Sequence, residues 1–320
     1  FRNIASQKAQ PNLNEYDLMN LPLPQISYEK IKEVLEKTNP LRKSLLKYKS
    51  SKENIKEIID NALESFFGYD FNLFNELKSK KIQINNLEDF SNNVDLRFSA
   101  KYHRKAGVFA TNELSKNSVK IKKALSNISM TGKGISPKDF EEDTECYYIT
   151  MADISTWEID YQNLKTVSAE YEDKNSLKKP KGEKESYSTK VKKGDILMMR
   201  SGEGGIGKVA LVTQDINAIF SDFIIRFRFD ENRYITKFCY YYMRSKYFQY
   251  LVEIHKKGLG NNTNIFPNIT NEFPIPNIAK SEQKKIIAEI QNHIMQQKRI
   301  DRKIESIQKE ISDIIEKSIL

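Results

Sequence analysis

The sequence predicts an α+β fold in which a β-rich core is flanked by long helices. Residues 83 to 278 carry short β-rich runs, namely "CYYIT" (146–150), "GDILMM" (194–199) and "FIIRFRF" (223–229). Runs of this kind between turn residues are typical of strands. Apolar residues on both sides of this region recur at helical spacing. The chain has 320 residues, of which 39% are hydrophobic, so it can bury a core.

The composition permits a polyanionic partner. Lysine and arginine total 52 against 43 acidic residues, which leaves a net charge of +9. Only Cys146 and Cys239 are present, so we expect no disulfide framework and no zinc cluster. No apolar run reaches the ~20 residues that span a bilayer, and no signal peptide is evident. We therefore expect a soluble, cytoplasmic protein without a membrane partner. Because it begins at Phe1, we also expect a fragment of a longer chain.

The segment that precedes the β-rich region predicts helices. Residues 1 to 26 are irregular and end in "LPLPQI". Helical spacing over residues 28–37 and 41–48 is interrupted at Asn39-Pro40, where a helix should break or kink. A further helix is predicted over residues 52–67, with Gly68 placed to cap it.

A glycine run at residues 200–212, "RSGEGGIGKVALV", superficially matches two nucleotide-binding motifs. It satisfies G-x-G-x-x-G and most of G-x-x-x-x-G-K, but a P-loop needs Ser or Thr where Val209 stands and a helix after it. "VALVT" is instead typical of a strand, as is "DILMM" before the glycines. The sequence therefore predicts a β-hairpin whose glycines supply positive φ angles, and nucleotide binding is disfavoured.

The remaining elements follow from periodicity. In "FIIRFRF" the apolar residues alternate with Arg226 and Arg228, which predicts a half-buried strand with both arginines in solvent. One helix is predicted over residues 234–254, closed by Gly258. The last helix is predicted over residues 281–320. It carries isoleucines at the 4-3-4-3 spacing of a coiled-coil seam, namely Ile300, Ile304, Ile307, Ile311 and Ile314.

An internal echo predicts a repeated plan. "LPLPQI" at 21–26 recurs as "FPIPNI" at 273–278, and a helix rich in Glu, Lys and Ile follows each. We read residues 1–26 as the tail of a preceding domain and 27–82 as a helical spacer. Residues 83–278 then form a second domain, and 279–320 a C-terminal spacer helix.

These motifs together resemble the specificity subunit of type I restriction-modification systems. The resemblance rests on residues 192–212, on "SDFIIRFRFD" (221–230), on the segment 258–290 and on "VDLRFSAKYH" (94–103). It implies target-recognition domains that each read half of a split DNA site, separated by helical spacers that pair antiparallel. It also implies a DNA adenine methyltransferase subunit and a restriction/translocase subunit as partners. S-adenosylmethionine, and ATP with Mg, would then belong to those partners, with no cofactor in this chain.

Catalytic motifs are not found in the sequence. The N/D-P-P-Y/F/W string with which an adenine methyltransferase holds a flipped base does not occur. The acidic stretch "PKDFEEDTE" (137–145) lacks the lysine-carboxylate arrangement of a nuclease. His103, His255 and His293 have no nucleophile near them in sequence. We therefore predict a non-catalytic chain without a metal site.

Four loop regions combine cations with groups that can read DNA, since Lys and Arg neutralise phosphates while Arg, Asn, Ser and Thr contact base edges. They are "KYHRK" (101–105), the lysine-rich segment 178–193, the hairpin loop and "HKKGLGNNTN" (255–264). Each could instead be an ordinary solvated loop. The candidate DNA-binding residues are Lys101, His103, Arg104, Lys105, Lys190, Arg200, Ser201, Lys208, Lys256, Lys257, Asn261, Asn262 and Thr263.

Three alternatives to a free specificity subunit remain open. The chain could be the C-terminal specificity region of a fused restriction-methyltransferase polypeptide, because Asn39-Pro40 interrupts the first spacer. It could be a coiled-coil scaffold with a basic globular head that needs no DNA. A nucleotide-binding enzyme is the third alternative.

Overall fold

The computed structural model describes residues 26–86, 88, 101–141, 144–172, 176–202, 204–258 and 260–319. The described residues divide into two compact units, one made of residues 26–53 and 295–319 and the other of residues 54–294. This division places residues 54–82 and 279–294 with the larger unit, whereas the sequence-based boundaries assign them to spacers. Residues 1–25 of the predicted tail 1–26 and most of "VDLRFSAKYH" lie outside the described residues.

The smaller unit contains helix α1 (Tyr28–Ser50) and the end of a long C-terminal helix. Of the predicted break or kink at Asn39-Pro40, the break is wrong, because α1 continues through Pro40. Proline removes one hydrogen bond, the one to the Glu36 carbonyl. Glu36 and Pro40 are both exposed, so water can satisfy that carbonyl. The Ser27 side chain caps the helix by accepting a hydrogen bond from the Lys30 N–H.

A second helix segment runs antiparallel to α1 within the smaller unit. The C-terminal helix spans Lys280–Ile319, and its predicted isoleucine seam is half-buried. The less exposed residues of α1 repeat at the same 4-3-4-3 spacing, namely Val34, Thr38, Leu41, Leu45 and Tyr48. Just after α1, the Glu53 N–H donates to Gln297 (3.0 Å) and Lys52 pairs with Asp301 (2.6 Å), and on α1 itself the Tyr48 hydroxyl accepts from the Lys303 ammonium (3.4 Å). Residue numbers thus rise along the C-terminal helix as they fall toward and along α1.

The larger unit begins with helix α2 (Ile55–Phe67), which Asn54 and Glu57 start with a capping box. Gly68 ends it at φ 68°, as predicted. Helices α3 (Phe71–Ser79) and α4 (Lys105–Ser115) follow. Residues 234–254, predicted as one helix, form two: α5 (Thr236–Arg244) and α6 (Lys246–His255). The chain separates at Ser245, which is extended and whose hydroxyl accepts from the Phe248 N–H as the cap of α6.

The strands of the larger unit are short and form several small sheets. In chain order they are β1 (Ser118–Lys120), β2 (Met130–Thr131), β3 (Cys146–Ile149), β4 (Lys165–Val167), β5 (Leu177–Lys178), β6 (Tyr187–Ser188), β7 (Ile196–Met199), β8 (Val209–Leu211), β9 (Ala218–Phe220), β10 (Ile224–Phe227) and β11 (Pro274–Pro276). The sheet orders are β2-β10-β7-β8, β4-β3-β9, β1-β11 and β5-β6. A short helix, α7 (Pro267–Thr270), precedes β11, and α8 is the C-terminal helix (Lys280–Ile319). The predicted α+β class is confirmed.

The predicted hairpin is also present. β7 and β8 pair antiparallel, with Met198 opposite Val209, so a strand and not a helix follows the glycines. β7 lies between β10 and β8 in the four-stranded sheet, and all four of its residues are buried. This strand therefore supplies a rigid base for the loop that begins at Arg200.

Arg226 lies on β10 and Arg228 directly follows it. The prediction that both side chains are exposed to solvent is wrong. Arg226 is 1% exposed and donates from Nη1 to the Ser188 and Lys190 carbonyl oxygens (2.8 and 2.9 Å). Arg228 forms two hydrogen bonds, both 2.7 Å, with the buried carboxylate of Asp195. Alternation indicates which residues share a strand face, but both faces of this strand are covered.

None of the helices in the described part of the chain is long and apolar enough to cross a membrane.

Candidate nucleic-acid interface

The hairpin loop and the Gly/Asn loop, far apart in sequence, lie side by side in the structure. Ser201 and Asn264 form an antiparallel bridge. The Ile265 N–H donates to the Arg200 carbonyl (2.9 Å), and the Gly202 N–H donates to the Thr263 carbonyl (3.3 Å). Two of the four predicted regions thus share one surface of the larger unit.

The glycines of the hairpin serve two different purposes. Gly202 and Gly204 have φ angles of 85° and 76°, and nothing lies within 4 Å of where a Cβ would stand. Gly207, at φ 90°, packs against α6, because a Cβ there would come 2.9 Å from Val252 Cγ1. The absence of a side chain at Gly207 therefore allows the loop to pack closely against α6. At Gly202 and Gly204 the backbone is uncovered, and a ligand can approach it closely.

The Gly/Asn loop is closed by its own hydrogen bonds. Lys257 and Asn264 exchange two backbone hydrogen bonds of 2.8 and 2.7 Å, so the segment between them projects as a compact turn. Thr263 is buried and donates from its hydroxyl to the Gly260 carbonyl (2.6 Å). The side chains of Lys257 and Asn262 are exposed. The side chain of Asn261 lies outside the described atoms.

The segment 101–105 lies beside the end of α6, which leads into this loop. Lys101 and Lys256 both form ion pairs with Glu253. The rings of Tyr102 and His255 meet edge to face, with centroids 5.2 Å apart. A third predicted region thus joins the surface made by the first two.

The other predicted residues of this segment differ in exposure. His103 is buried, at 7% exposure, and Arg104 is partly buried immediately before α4. The Lys105 side chain is exposed, and its N–H donates to Gln83 Oε1 (2.8 Å).

A cleft of about 1070 Å³ opens next to Arg200 and brings in part of the lysine-rich segment. Its cations are Lys122, Lys178, Lys179, Lys181 and Arg200, and its acidic lining residue is Glu183. The Lys178 ammonium donates to Thr131 Oγ1 (2.8 Å), and burial lowers its pKa. Phe266 lies in the wall of the cleft and is 45% exposed. Aromatic faces beside cations are typical of surfaces that bind nucleic acids.

Arg200 is held firmly in the cleft wall. Its Nε–H donates to the Asp222 carbonyl (2.6 Å), and its Nη1 donates to Asn264 Oδ1 (3.0 Å). The guanidinium carbon lies 5.8 Å from the Phe223 ring centroid and 5.2 Å from that of Phe266. Burial lowers the pKa of Arg200, but an arginine remains charged near neutral pH.

Two predicted residues lie away from this cleft. The Lys208 ammonium donates to the Ser155 carbonyl (3.0 Å), on the far side of the hairpin loop. The backbone of Lys190 forms an antiparallel β-bridge with Ile219, and the Lys190 carbonyl accepts a hydrogen bond from Arg226. Neither lysine lines the cleft.

Sequence reasoning missed several residues that line the cleft. Lys122, Asn127, Phe266, Asn268 and Asn271 belong to it, yet none lies within the four regions singled out. Lys122 is 78 positions before Arg200, and only tertiary folding brings the two together. Phe266 and Asn268 belong to "FPNIT" (266–270), which directly follows the Gly/Asn loop. Their closeness in sequence to that loop is the signal that could have identified them.

Within the described residues, no group of three or more His, Cys, Asp or Glu side chains could hold a metal ion. The cleft offers cations, amides and an aromatic ring. These groups bind anions and polar edges.

No protein-family model matches the chain, and no curated protein matches it. Three solved structures follow it over almost its whole length. The first is described as the "structural basis underlying complex assembly and conformational transition of the type I R-M system" and has 11% identity and a TM-score of 0.47. The HsdS subunit from Thermoanaerobacter tengcongensis has 12% identity and a TM-score of 0.44. The type I restriction-modification S subunit from M. genitalium has 12% identity and a TM-score of 0.42.

The alignments with these structures cover 98%, 98% and 99% of this chain. They cover 65% of the first structure's chain, 64% of the second and 68% of the third. The chain thus spans slightly less than two thirds of the first two. These three structures come from type I restriction-modification systems, and at these identities the resemblance concerns the course of the chain alone.

Proposed function

We propose that this chain recognises a sequence in double-stranded DNA, as a non-catalytic specificity subunit of a type I restriction-modification system. The observation that carries the proposal is the convergence of the predicted DNA-contacting loops. Segment 101–105, the hairpin loop and the Gly/Asn loop share one surface of the larger unit, and part of the lysine-rich segment lines the adjoining cleft. If these segments were ordinary solvated loops, nothing would require them to lie on the same surface.

The groups on this surface match the two tasks of a DNA reader. Lysines on flexible stems suit phosphates, which supply affinity that weakens with salt. Amides and a rigid arginine suit base edges, which supply sequence preference. Lys257 and the cleft lysines 179 and 181 belong to the first class, whereas Arg200 and Asn268 belong to the second.

The partners in this proposal follow from the sequence resemblance. A DNA adenine methyltransferase subunit and a restriction/translocase subunit would supply the chemistry in the cytoplasm, using S-adenosylmethionine and ATP with Mg. The paired helices of the smaller unit would form the spacer that receives the methyltransferase. In the alternative of a fused restriction-methyltransferase polypeptide, the catalytic domains would be part of the same polypeptide as this chain. The proposed DNA-binding surface would be the same in both cases.

The test is selection from a randomised duplex library by this chain, with and without a cognate methyltransferase subunit, at two salt concentrations. We expect one short motif to be enriched and the affinity to fall steeply with salt. Lys257→Ala should weaken binding to all duplexes, whereas Lys43→Ala, an exposed residue on α1, serves as the matched control. Weak binding without sequence preference, even with the partner present, would favour the scaffold alternative.

A further inference from the structure

Arg200 enters the cleft with part of its hydrogen-bonding capacity unused. A guanidinium carries five N–H donors. In Arg200 the Nε donor and one Nη1 donor are taken by Asp222 and Asn264. Among the residues that the structure describes, Nη2 makes no hydrogen bond and the side chain forms no ion pair. Three donors of a half-buried cation are therefore available to a ligand in the cleft.

The orientation of these donors is fixed before any ligand arrives. The rings of Phe223 and Phe266 flank the guanidinium at 5.8 and 5.2 Å. Asn264 is itself held, because its Nδ2 donates to the Asn262 carbonyl (2.9 Å), and this bond directs Oδ1 toward Arg200. A side chain fixed in this way loses little conformational entropy on binding.

The backbone of Arg200 is also fixed on both sides. Its N–H donates to the Phe223 carbonyl (3.0 Å), and its own carbonyl accepts from the Ile265 N–H (2.9 Å). Arg200 follows directly on β7, an inner strand of the four-stranded sheet. The cleft lysines 179 and 181, by contrast, belong to a segment outside the strands, and their long stems can follow a phosphate.

From this contrast we propose that Arg200 is a specificity-determining residue that reads a guanine in the major groove. Its free donors would bind the O6 and N7 atoms of that guanine, and Asn264 would act as the positioning residue. The inference rests on the proposed function of DNA recognition. Guanine presents two adjacent acceptors that match an arginine fork, whereas adenine presents a donor in place of one of them. A methionine keeps an unbranched apolar stem at this position but has no donor for either atom.

The experiment uses the duplex motif selected by the wild-type chain. Each guanine in turn is replaced by 7-deazaguanine, which lacks N7, or by hypoxanthine, which keeps both O6 and N7. At one guanine we expect 7-deazaguanine to lower the affinity about 10-fold, and hypoxanthine to change it little. Arg200→Met should abolish this difference, and Asn264→Ala should reduce it. Lys257→Ala should weaken binding to every duplex to the same extent and keep the difference.

The possible outcomes separate this inference from the proposed function. Absence of any selected motif overturns both. A motif with the same 7-deazaguanine sensitivity in wild type and Arg200→Met overturns the guanine reading alone. Equal weakening on all duplexes by Arg200→Met, with the sensitivity retained, assigns Arg200 to a phosphate and also overturns it. Thermal unfolding checks the fold of each variant. Should Arg200→Met fail to fold, the same comparison with Asn264→Ala decides: an unaltered sensitivity overturns the guanine reading.

Discussion

Glu253 neutralises two of the predicted DNA-contacting lysines, so its replacement tests whether that part of the surface faces phosphates. Its carboxylate pairs with Lys101, and with Lys256 at 2.7 Å. Burial by itself would raise the pKa of Glu253, but the hydrogen bonds from both lysines outweigh it and lower that pKa. The carboxylate is therefore ionised at neutral pH. Glu253→Gln keeps the size of the side chain and removes its charge.

The expected effect is a steeper salt dependence of DNA binding. Each additional phosphate neutralised by a lysine steepens the slope of log affinity against log salt by about 0.9. If one or both released lysines contact phosphate, the slope steepens by about 0.9 to 1.8. Between about 50 and 200 mM salt the affinity of the variant should then fall roughly 3- to 12-fold more than that of the wild type. At the lower salt concentration the variant should bind more tightly.

The assay is a fluorescence-anisotropy titration of a labelled duplex of random sequence across this salt range. Glu33→Gln is the matched control, because Glu33 pairs with Lys37 on α1 at 2.5 Å, outside the candidate interface. The reasoning is refuted if Glu253→Gln leaves the slope unchanged. It is also refuted if both variants steepen the slope equally, because the effect would then come from net charge.

Two further predictions concern stability. Burial raises the pKa of Asp60 from 3.8 to about 6, so folding takes up a proton in this range and stability falls as the pH rises from about 4 to 6. Asp60→Asn keeps an acceptor for the Lys246 N–H (2.6 Å) but cannot ionise. The effect of this substitution on the free energy of unfolding should therefore be more favourable at pH 8 than at pH 4, by up to about 3 kcal/mol. Urea unfolding at both pH values measures this, and an equal effect at both would contradict it. Gly207→Ala should destabilise by about 2–4 kcal/mol, from strain and from contact with Val252. Gly202→Ala should cost only about 1–2 kcal/mol, and a reversed order in urea unfolding would contradict this assignment of the two glycines.

Local signals were sufficient for the elements that depend on a few neighbouring residues. The hairpin at 200–208 follows from glycines between two apolar runs, because a strand pair needs only its turn and its core face. Gly68 ends α2 in the left-handed conformation, which glycine adopts without strain. The isoleucine seam of α8 was likewise predicted, because the spacing of apolar residues alone sets the face that is buried.

The failed expectations depended on tertiary context or on capping and solvation that periodicity does not show. Pro40 was expected to break a helix, but the lost hydrogen bond lies on an exposed face where water replaces it. Arg226 was expected in solvent, but two carbonyl groups of segment 188–190 accept from it in the interior. The helix break at Ser245 follows from a hydroxyl that caps the next helix. The cleft could not be predicted, because Lys122 and Arg200 meet only through the fold.

If the chain recognises DNA as proposed, the anchoring of each group would separate affinity from sequence preference. Arg200 directly follows an inner strand that is paired on both sides, so its position is set by the sheet. The lysines at 179 and 181 and in the Gly/Asn loop lie outside the helices and strands, and their long side chains can follow a phosphate backbone. A change at one of these lysines would then alter the affinity for all duplexes, whereas a change at Arg200 or Asn264 would alter which duplex is preferred. Measuring both quantities for each variant therefore distinguishes a reader of bases from a merely basic surface.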